Sequence, residues 1–214
     1  MVVTQVGADI DSWAEGDFEV FRGLLEGREH KIIEGNRRAA VAAIFRTGKA
    51  GEVEILLIHR AEDVRDPWSG HMAFPGGRVD DDDASPEAAA IRETEEEVGL
   101  RLESHARLLG RLSDVTAVAR GRRLGLVIEP FVFELVKASE LRLNAEVQEA
   151  LWVPLGFFFN EANRSSLTYD FEDRTYELPC YRYDGRVVWG LTLRMLDEVL
   201  EILSGRVIDD WPER

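Results

Sequence analysis

Apolar residues recur along this chain at two spacings, one typical of β-strands and the other of α-helices. Residues 39–46 and 53–60 are mostly apolar, and the glycine-containing stretch TGKAG lies between them. Two strands joined by a tight reversal are therefore predicted. The same pattern predicts further strands over residues 106–112, 124–135 and 186–190 and within residues 142–155.

Helical spacing marks the regions that precede and follow these strands. Apolar residues at three- and four-residue intervals over residues 191–203 predict an amphipathic helix that closes on a core. Another helix is predicted near residues 18–25, within a polar N-terminal arm of residues 1–38 that precedes a domain of residues 39–214. Strands combined with helices predict an α/β fold in which a sheet lies between helices.

Composition narrows the classes of protein to which the chain can belong. Of its 214 residues, 45% are apolar and 31% are charged, and no apolar run is as long as a membrane crossing requires. The formal net charge of −15 opposes binding to the phosphate backbone of nucleic acids. The N-terminus has no signal-peptide pattern, and Cys180 is a lone cysteine. We therefore expect a cytoplasmic protein without disulfides, and neither a nucleic acid nor a membrane as partner.

One segment has unusually well-marked helix ends, AFPGGRVDDDDASPEAAAIRETEEEVGL, residues 73–100. Ser85 is a favourable N-cap, and Pro86 suits the first helical position. Gly99 is the residue type found most often just past a helix end. The segment therefore predicts a helix of about 13 residues, from Pro86 to Val98.

Three glutamates of this helix form an acidic face. Glu93, Glu96 and Glu97 stand at positions i, i+3 and i+4, so their carboxylates project from one side. They repel each other and oppose the helix dipole, and a cation would remove both penalties. Oxygen ligands of this kind suit Mg²⁺, with Mn²⁺ as the alternative. The competing interpretation is an acidic face that is merely solvated.

Two neighbouring features favour the metal site over the solvated face. Arg92 could hold a carboxylate of the cluster, and Gly76 and Gly77 allow backbone to approach it closely. Each feature also has a purely structural interpretation, because Arg92 could form a surface ion pair with Glu96 and the glycines could belong to a simple loop. The combination of the two features with the acidic face is what favours the metal site. The sequence contains no phosphate loop, HExxH or GxGxxG motif that competes with this segment.

The segment resembles the signature of the Nudix hydrolase family. The later half of that signature reads Arg-Glu, two variable positions, Glu-Glu, one variable position, Gly and an aliphatic residue, which RETEEEVGL, residues 92–100, fits. The coenzyme A diphosphatase branch is similar in the longer spacing between Gly77 and Arg92 and in an aspartate at the place of Asp83. The resemblance implies a Nudix-type α/β/α sandwich with a mixed sheet, and a capping or outer role for Asp83.

Upstream, LLIHRAEDVRDPWSGHMAFPGG resembles a further motif of the coenzyme A branch, with Arg60 and Arg65 in the places of its two arginines. Two arginines beside a glycine turn could hold a 3′-phosphate or diphosphate oxygens, so Arg60, Arg65, Gly76 and Gly77 are predicted to bind substrate. Surface ion pairs between both arginines and acidic residues of the same loop are an equally weighted alternative. The later VVWGLTLRML also resembles a family segment, so the resemblance extends from about residue 39 to residue 203.

Further candidates lie outside the signature. His71 could titrate near neutral pH or be an ordinary hydrogen-bonded loop residue. Glu146 is preferred to Glu129 as an additional ligand or base, because Glu129 lies in an apolar strand where an unpaired charge would be costly. The large aromatics that could stack on an adenine, although core packing is their commoner role, are Trp68, Trp152 and Trp189.

The resemblance implies an enzyme that hydrolyses a diphosphate linkage with Mg²⁺ bound by Glu93, Glu96 and Glu97. Water would attack phosphorus, and Glu96, Glu97 or Glu146 would take its proton, with Arg92 supporting the cluster. The leading substrate is coenzyme A or a related small nucleoside diphosphate. ADP-ribose, a dinucleotide or another nucleoside diphosphate derivative is one alternative, and a Nudix-type binding module without turnover is another. A homodimer is compatible with the sequence.

Overall fold

A computed structural model describes residues 17–211, apart from residues 65, 67, 120, 121, 172 and 173. Its helices are α1 (Phe18–Glu26), α2 (Pro86–Val98), α3 (Leu102–His105), α4 (Leu155–Phe159) and α5 (Gly190–Ser204), with a 3₁₀ turn at Glu161–Asn163. Its strands are β1 (Arg37–Thr47), β2 (Val53–Arg60), β3 (Met72–Ala73), β4 (Gly76–Arg78), β5 (Ala106–Arg111), β6 (Val115–Ala119), β7 (Arg122–Leu135), β8 (Val147–Pro154), β9 (Arg164–Phe171), β10 (Arg174–Tyr183) and β11 (Arg186–Trp189). None of the described helices is long and apolar enough to span a membrane.

Strands β1 to β8 form one mixed sheet, with the core order β3-β2-β1-β7-β5. β1 pairs in parallel with β7 and antiparallel with β2 and β4. β2 also pairs with β8, and β7 also pairs with β6. Strands β9, β10 and β11 form a separate antiparallel sheet. β1 therefore lies at the centre of the fold and carries β4, the strand next to the acidic helix.

Helices cover both faces of the mixed sheet, which explains why β1 and β2 are apolar almost without interruption. On one face, Ala42 and Ile44 of β1 share an apolar cluster with Ala90 of α2. On the other face, Phe45 of β1 packs edge-on against Phe21 of α1, with ring centroids 5.4 Å apart, in a cluster that includes α5. The predicted α/β/α sandwich with a mixed sheet is confirmed.

The acidic helix has the predicted bounds. α2 begins after Ser85, whose Oγ accepts a hydrogen bond from the Ala88 N–H at 3.1 Å. It ends at Gly99, which adopts a left-handed conformation with φ of 70°. Both ends were predicted from local residue preferences, and the structure confirms them.

The N-terminal arm contributes to the core of the protein. Phe18, Phe21 and Leu25 of α1 are buried in the same cluster as the apolar face of α5. Asp17 caps α1 by accepting hydrogen bonds from two backbone N–H groups of its first turn. The first strand begins at Arg37, two residues before the predicted start. The proposed boundary between residues 38 and 39 stays a prediction.

Candidate active site

The acidic half of α2 packs against β4. Glu97 is only 2% exposed, and its Oε2 accepts a hydrogen bond from the Gly76 N–H at 2.8 Å. Glu93 lies over Gly77, because a Cβ added to Gly77 would come within 2.4 Å of the Glu93 carboxylate. Glu96 is more open, with 56% of its side chain exposed. The structure thus brings Glu93 and Glu97 together with both glycines predicted from the sequence.

Glycine is required at the two positions Gly76 and Gly77 of β4 for different physical reasons. Gly76 has φ of +148°, and a Cβ there would lie 2.3 Å from the carbonyl oxygen of Ala40 and 2.6 Å from Cα of Val41. Backbone atoms cannot yield, so β4 approaches β1 this closely only with glycine. At Gly77 the space that a side chain would take is filled by the Glu93 carboxylate. Gly76 therefore positions Glu97, and Gly77 makes room for Glu93.

Arg92 contacts the acidic residues on the side where Glu96 is exposed. Its guanidinium donates hydrogen bonds to the Asp83 carboxylate at 2.9 and 3.0 Å, to Glu93 Oε1 at 3.0 Å and to the Arg78 carbonyl at 3.1 Å. Both oxygens of Glu96 are 3.4 Å away. The hydrogen bond from Arg92 lowers the pKa of Asp83 and keeps it ionised. Asp83 therefore anchors Arg92, which orients Glu93 and Glu96.

Burial makes the negative charge of this cluster unfavourable. It raises the pKa of Glu97 to about 7, against the opposing effects of the Gly76 N–H and of the Arg60 charge. Burial also raises the pKa of Glu93. The charge of Glu146, in the loop before β8, raises both pKa values further and so acts on the same cluster. A cation placed among these groups would restore their ionised forms.

The donor set fits a hard divalent cation, because it offers several carboxylate oxygens in a partly buried place. In the present arrangement the carboxylates face Arg92 and the Gly76 N–H. Within the described residues, no group of three or more His, Cys, Asp or Glu side chains is arranged to share one ion. That Glu93, Glu96 and Glu97 bind a metal stays a prediction.

The buried Glu97 predicts a pH dependence of stability in the metal-free protein. Its pKa of about 7 in the folded state exceeds the ordinary 4.5, so the folded state binds this proton more tightly than the unfolded state. The stabilisation is complete below about pH 4.5 and is lost as pH rises through about 7, with a linked free energy of roughly 3 kcal/mol. Urea denaturation in a chelating buffer should show wild type losing stability across this window relative to E97Q. Parallel curves for the two proteins would contradict the prediction.

A cavity of about 790 Å³ adjoins the cluster. Its lining includes residues of β1, β4 and β7, of the loop before β3 and of the start of α5. Arg60 connects the cavity with the cluster, since it donates to Asp66 at 2.8 Å and lies 3.6 Å from Glu97. Arg60 thus forms an ion pair with an acidic residue of the adjoining loop, which was the alternative to substrate binding, and it also lines the cavity. Arg65, the other predicted arginine, lies outside the described residues.

Aromatic side chains form one wall of this cavity. Trp189 packs between His71 and Tyr169, with ring centroids 4.9 and 5.4 Å away. Trp68, Trp189 and His71 line the cavity. Burial lowers the pKa of His71, which favours its neutral form. Tyr169 contacts Trp189 but is not among the residues that line the cavity, and it was not singled out from the sequence because β9 lacks the usual apolar pattern.

Two other sequence candidates occupy different surroundings. Trp152 lies beneath the Arg46 guanidinium, 3.9 Å from its ring centroid, and does not line the cavity. Glu129 is 3% exposed in β7, where it forms ion pairs with Arg38 and with Arg111. Its charge is therefore paired, which the sequence alone did not indicate. These contacts tie Glu129 into the sheet.

The structure defines a class of α/β protein. Its members have a mixed sheet and an acidic helix, and the glutamates of this helix border a cavity that is large enough for a small molecule. A family model described as the NUDIX domain matches residues 36–170. The chain therefore belongs to the Nudix family, as the resemblance of residues 92–100 predicted.

Known relatives agree with this assignment. The chain is 28% identical over 177 residues to a peroxisomal coenzyme A diphosphatase of Caenorhabditis elegans, ndx-8, covering 81% of this chain and 72% of that one. It is 30% identical to the uncharacterized Nudix hydrolase NudL of Yersinia pestis over 178 residues, which cover 82% of this chain and 84% of that one. An uncharacterized Schizosaccharomyces pombe protein is 42% identical over 104 residues, and this match spans 47% of this chain but only 32% of the yeast protein.

A solved structure supports the fold. The MutT/nudix family protein from Enterococcus faecalis superposes with a TM-score of 0.51 at 19% identity, and the match covers 87% of this chain and 67% of that one. The match to the Nudix domain and the Nudix hydrolases among the relatives confirm the predicted class of enzyme, a pyrophosphohydrolase.

Proposed function

We propose that this protein hydrolyses the diphosphate linkage of coenzyme A or a closely related nucleoside diphosphate derivative. The observation that carries the chemistry is the buried Glu97 carboxylate, held by the Gly76 N–H beside Glu93 at the edge of the large cavity. The similarity to a coenzyme A diphosphatase over 81% of the chain supports the choice of substrate. The products would be adenosine 3′,5′-bisphosphate and a phosphopantetheine.

Nudix hydrolases generally use divalent metal ions, and here Glu93, Glu96 and Glu97 would hold Mg²⁺, which Mn²⁺ could replace. When bound, the ion supplies Lewis-acid polarisation of the phosphoryl group and a lower pKa for the attacking water. The residues of the chain set the geometry. The Gly76 N–H fixes Glu97, and Arg92, anchored by Asp83, orients Glu93 and Glu96.

We assign proton transfer to Glu146. Its side chain is exposed in the loop before β8, and its charge raises the pKa of Glu93 and of Glu97, which supports a role beside these two groups. Glu97 is less suited, because one of its oxygens is engaged by the Gly76 N–H and the other faces Arg60. A carboxylate near the attacking water can accept its proton in the transition state.

Substrate contacts are proposed for Arg60 and the glycine strand. Arg60 lines the cavity and supports Glu97, so it links substrate binding with the cluster. Gly76 and Gly77 also line the cavity beside the two glutamates that they position, so their proposed contact with the diphosphate is through backbone atoms. The proposed contact of Arg65 with substrate rests on its place in the motif.

A turnover panel tests this function. Coenzyme A, ADP-ribose and a diadenosine polyphosphate would each be incubated with Mg²⁺, with E97Q as the blank, and products separated by chromatography. We expect kcat/KM for coenzyme A to exceed the other values by at least about tenfold, since each well-placed substrate contact contributes on that order. A preference for ADP-ribose would contradict the substrate, and binding of all three without products would indicate a module that lacks turnover.

A further inference from the structure

Two arginines of the cavity wall carry no carboxylate partner among the described residues. Arg37 of β1 and Arg78 of β4 line the cavity together with Arg60. Arg60 is neutralised by Asp66 at 2.7 Å. By contrast, Arg37 donates only to the Leu124 carbonyl oxygen, at 3.3 Å, and the Arg78 guanidinium contacts no acidic group in the described part of the chain.

The two arginines lie close together because β1 and β4 are paired. Arg78 is directly opposite Ala39, and Arg37 is two residues away from Ala39 on the same face of β1. Such diagonal neighbours on adjacent strands are within reach of one another's long side chains. Both arginines are exposed at the rim, next to apolar residues of β7, where Leu126 is opposite Arg37.

This pair is a local excess of positive charge in an acidic protein. The chain has a formal net charge of −15, which repels a phosphorylated substrate over most of its surface. Within the cavity, the charges of Arg60 and Asp66 offset each other. Arg37 and Arg78 therefore leave positive charge without a carboxylate partner among the residues described, in the part of the cavity that β1, β4 and β7 line. The planar guanidinium fork matches phosphate oxygens in particular.

We propose that Arg37 and Arg78 form a subsite for a phosphate group remote from the bond that is cut. The proposal rests on the proposed function, because it needs a substrate with a second phosphate. Gly77, over which Glu93 lies, lines the same cavity as Arg37 and Arg78, so this cavity joins the pair to the acidic cluster. In an adenosine 3′,5′-bisphosphate group the 3′-phosphate is one ribose away from the 5′-phosphate, which places both within one such site.

Kinetics with two substrates test the subsite. The double variant R37A/R78A should raise KM for coenzyme A by about tenfold or more with little change in kcat, because charge-assisted contacts to the 3′-phosphate are lost. Dephospho-coenzyme A, which lacks this phosphate, should show unchanged KM. R37K/R78K should recover part of the loss, and R101A, at an exposed arginine outside the cavity, should behave as wild type. Equal effects of R37A/R78A on both substrates would overturn the proposal.

Binding without turnover separates the subsite from the substrate. Isothermal titration would compare adenosine 3′,5′-bisphosphate with AMP on wild type and on R37A/R78A. We expect wild type to prefer the bisphosphate and the double variant to lose that preference, and this result would support the subsite even if coenzyme A proved not to be hydrolysed. Wild type binding both nucleotides equally, or a double variant that keeps the preference, would overturn it.

Discussion

E97Q should lower turnover by roughly a hundred- to a thousandfold without unfolding the protein, because a metal ligand contributes several kcal/mol to transition-state stabilisation. Glutamine keeps the shape of the side chain, and its amide oxygen can still accept the Gly76 N–H, but the charge is removed. Initial rates over a Mg²⁺ titration and thermal melting of the same samples would measure both effects. Near-normal turnover with unchanged Mg²⁺ dependence would contradict the assignment of Glu97.

The same helix offers a matched control. Glu95 is exposed and lies two positions from both Glu93 and Glu97, so it points to a different side of α2. E95Q should retain wild-type turnover, whereas E96Q should resemble E97Q. E146Q should lower kcat and leave the Mg²⁺ requirement intact, because Glu146 is proposed to accept a proton. A loss in E95Q as large as in E97Q would indicate a general effect of charge on the helix.

G76A should destabilise the fold more than any other conservative change in the site. Its Cβ would lie 2.3 Å from the Ala40 carbonyl oxygen, and φ of +148° is strained for alanine. Steric displacement of backbone together with this strain should cost roughly 3 kcal/mol or more. Chemical denaturation, or recovery of soluble protein when folding fails, would measure it. A stability within about 1 kcal/mol of wild type would contradict the close approach of β4 to β1.

G77A should instead remove activity while the fold persists. Here the atoms nearest to the added Cβ belong to the carboxylate end of Glu93, which can rotate away. We expect a melting temperature near that of wild type and turnover reduced by at least about tenfold, since Glu93 loses its position. G156A is the control, because a Cβ there has no neighbour within 4 Å. Unchanged turnover in G77A would show that the placement of Glu93 over β4 is not needed.

Local sequence by itself determined the acidic helix and its chemistry. Ser85, Pro86 and Gly99 mark the ends of α2 through preferences that act within one turn, so its bounds could be predicted without knowledge of the fold. The same holds for the common face of the three glutamates, which follows from helical periodicity. Strands β1, β2 and β7 could be predicted equally well, because strands that are buried on both faces are apolar along most of their length.

Strands with little apolar pattern could not be predicted. β9 and β10 are rich in polar residues, and β10 includes Pro179, so their strand conformation comes from pairing with each other and with β11. Pairing is a property of the assembled sheet. The contact of Tyr169 with Trp189 depends on this pairing, so it could not be predicted from the sequence either.

Only the tertiary structure decided which residues share the site. Trp152 and Trp189 look alike in sequence, yet one packs under Arg46 and the other lines the cavity. The burial of Glu129 is tolerable because Arg38 and Arg111 reach it from neighbouring strands. Arg37 and Arg78 are 41 positions apart in sequence, and the pairing of β1 with β4, in which Ala39 is opposite Arg78, makes them diagonal neighbours. A helix records its own face in sequence spacing, whereas contacts across strands depend on which strands pair and in which register.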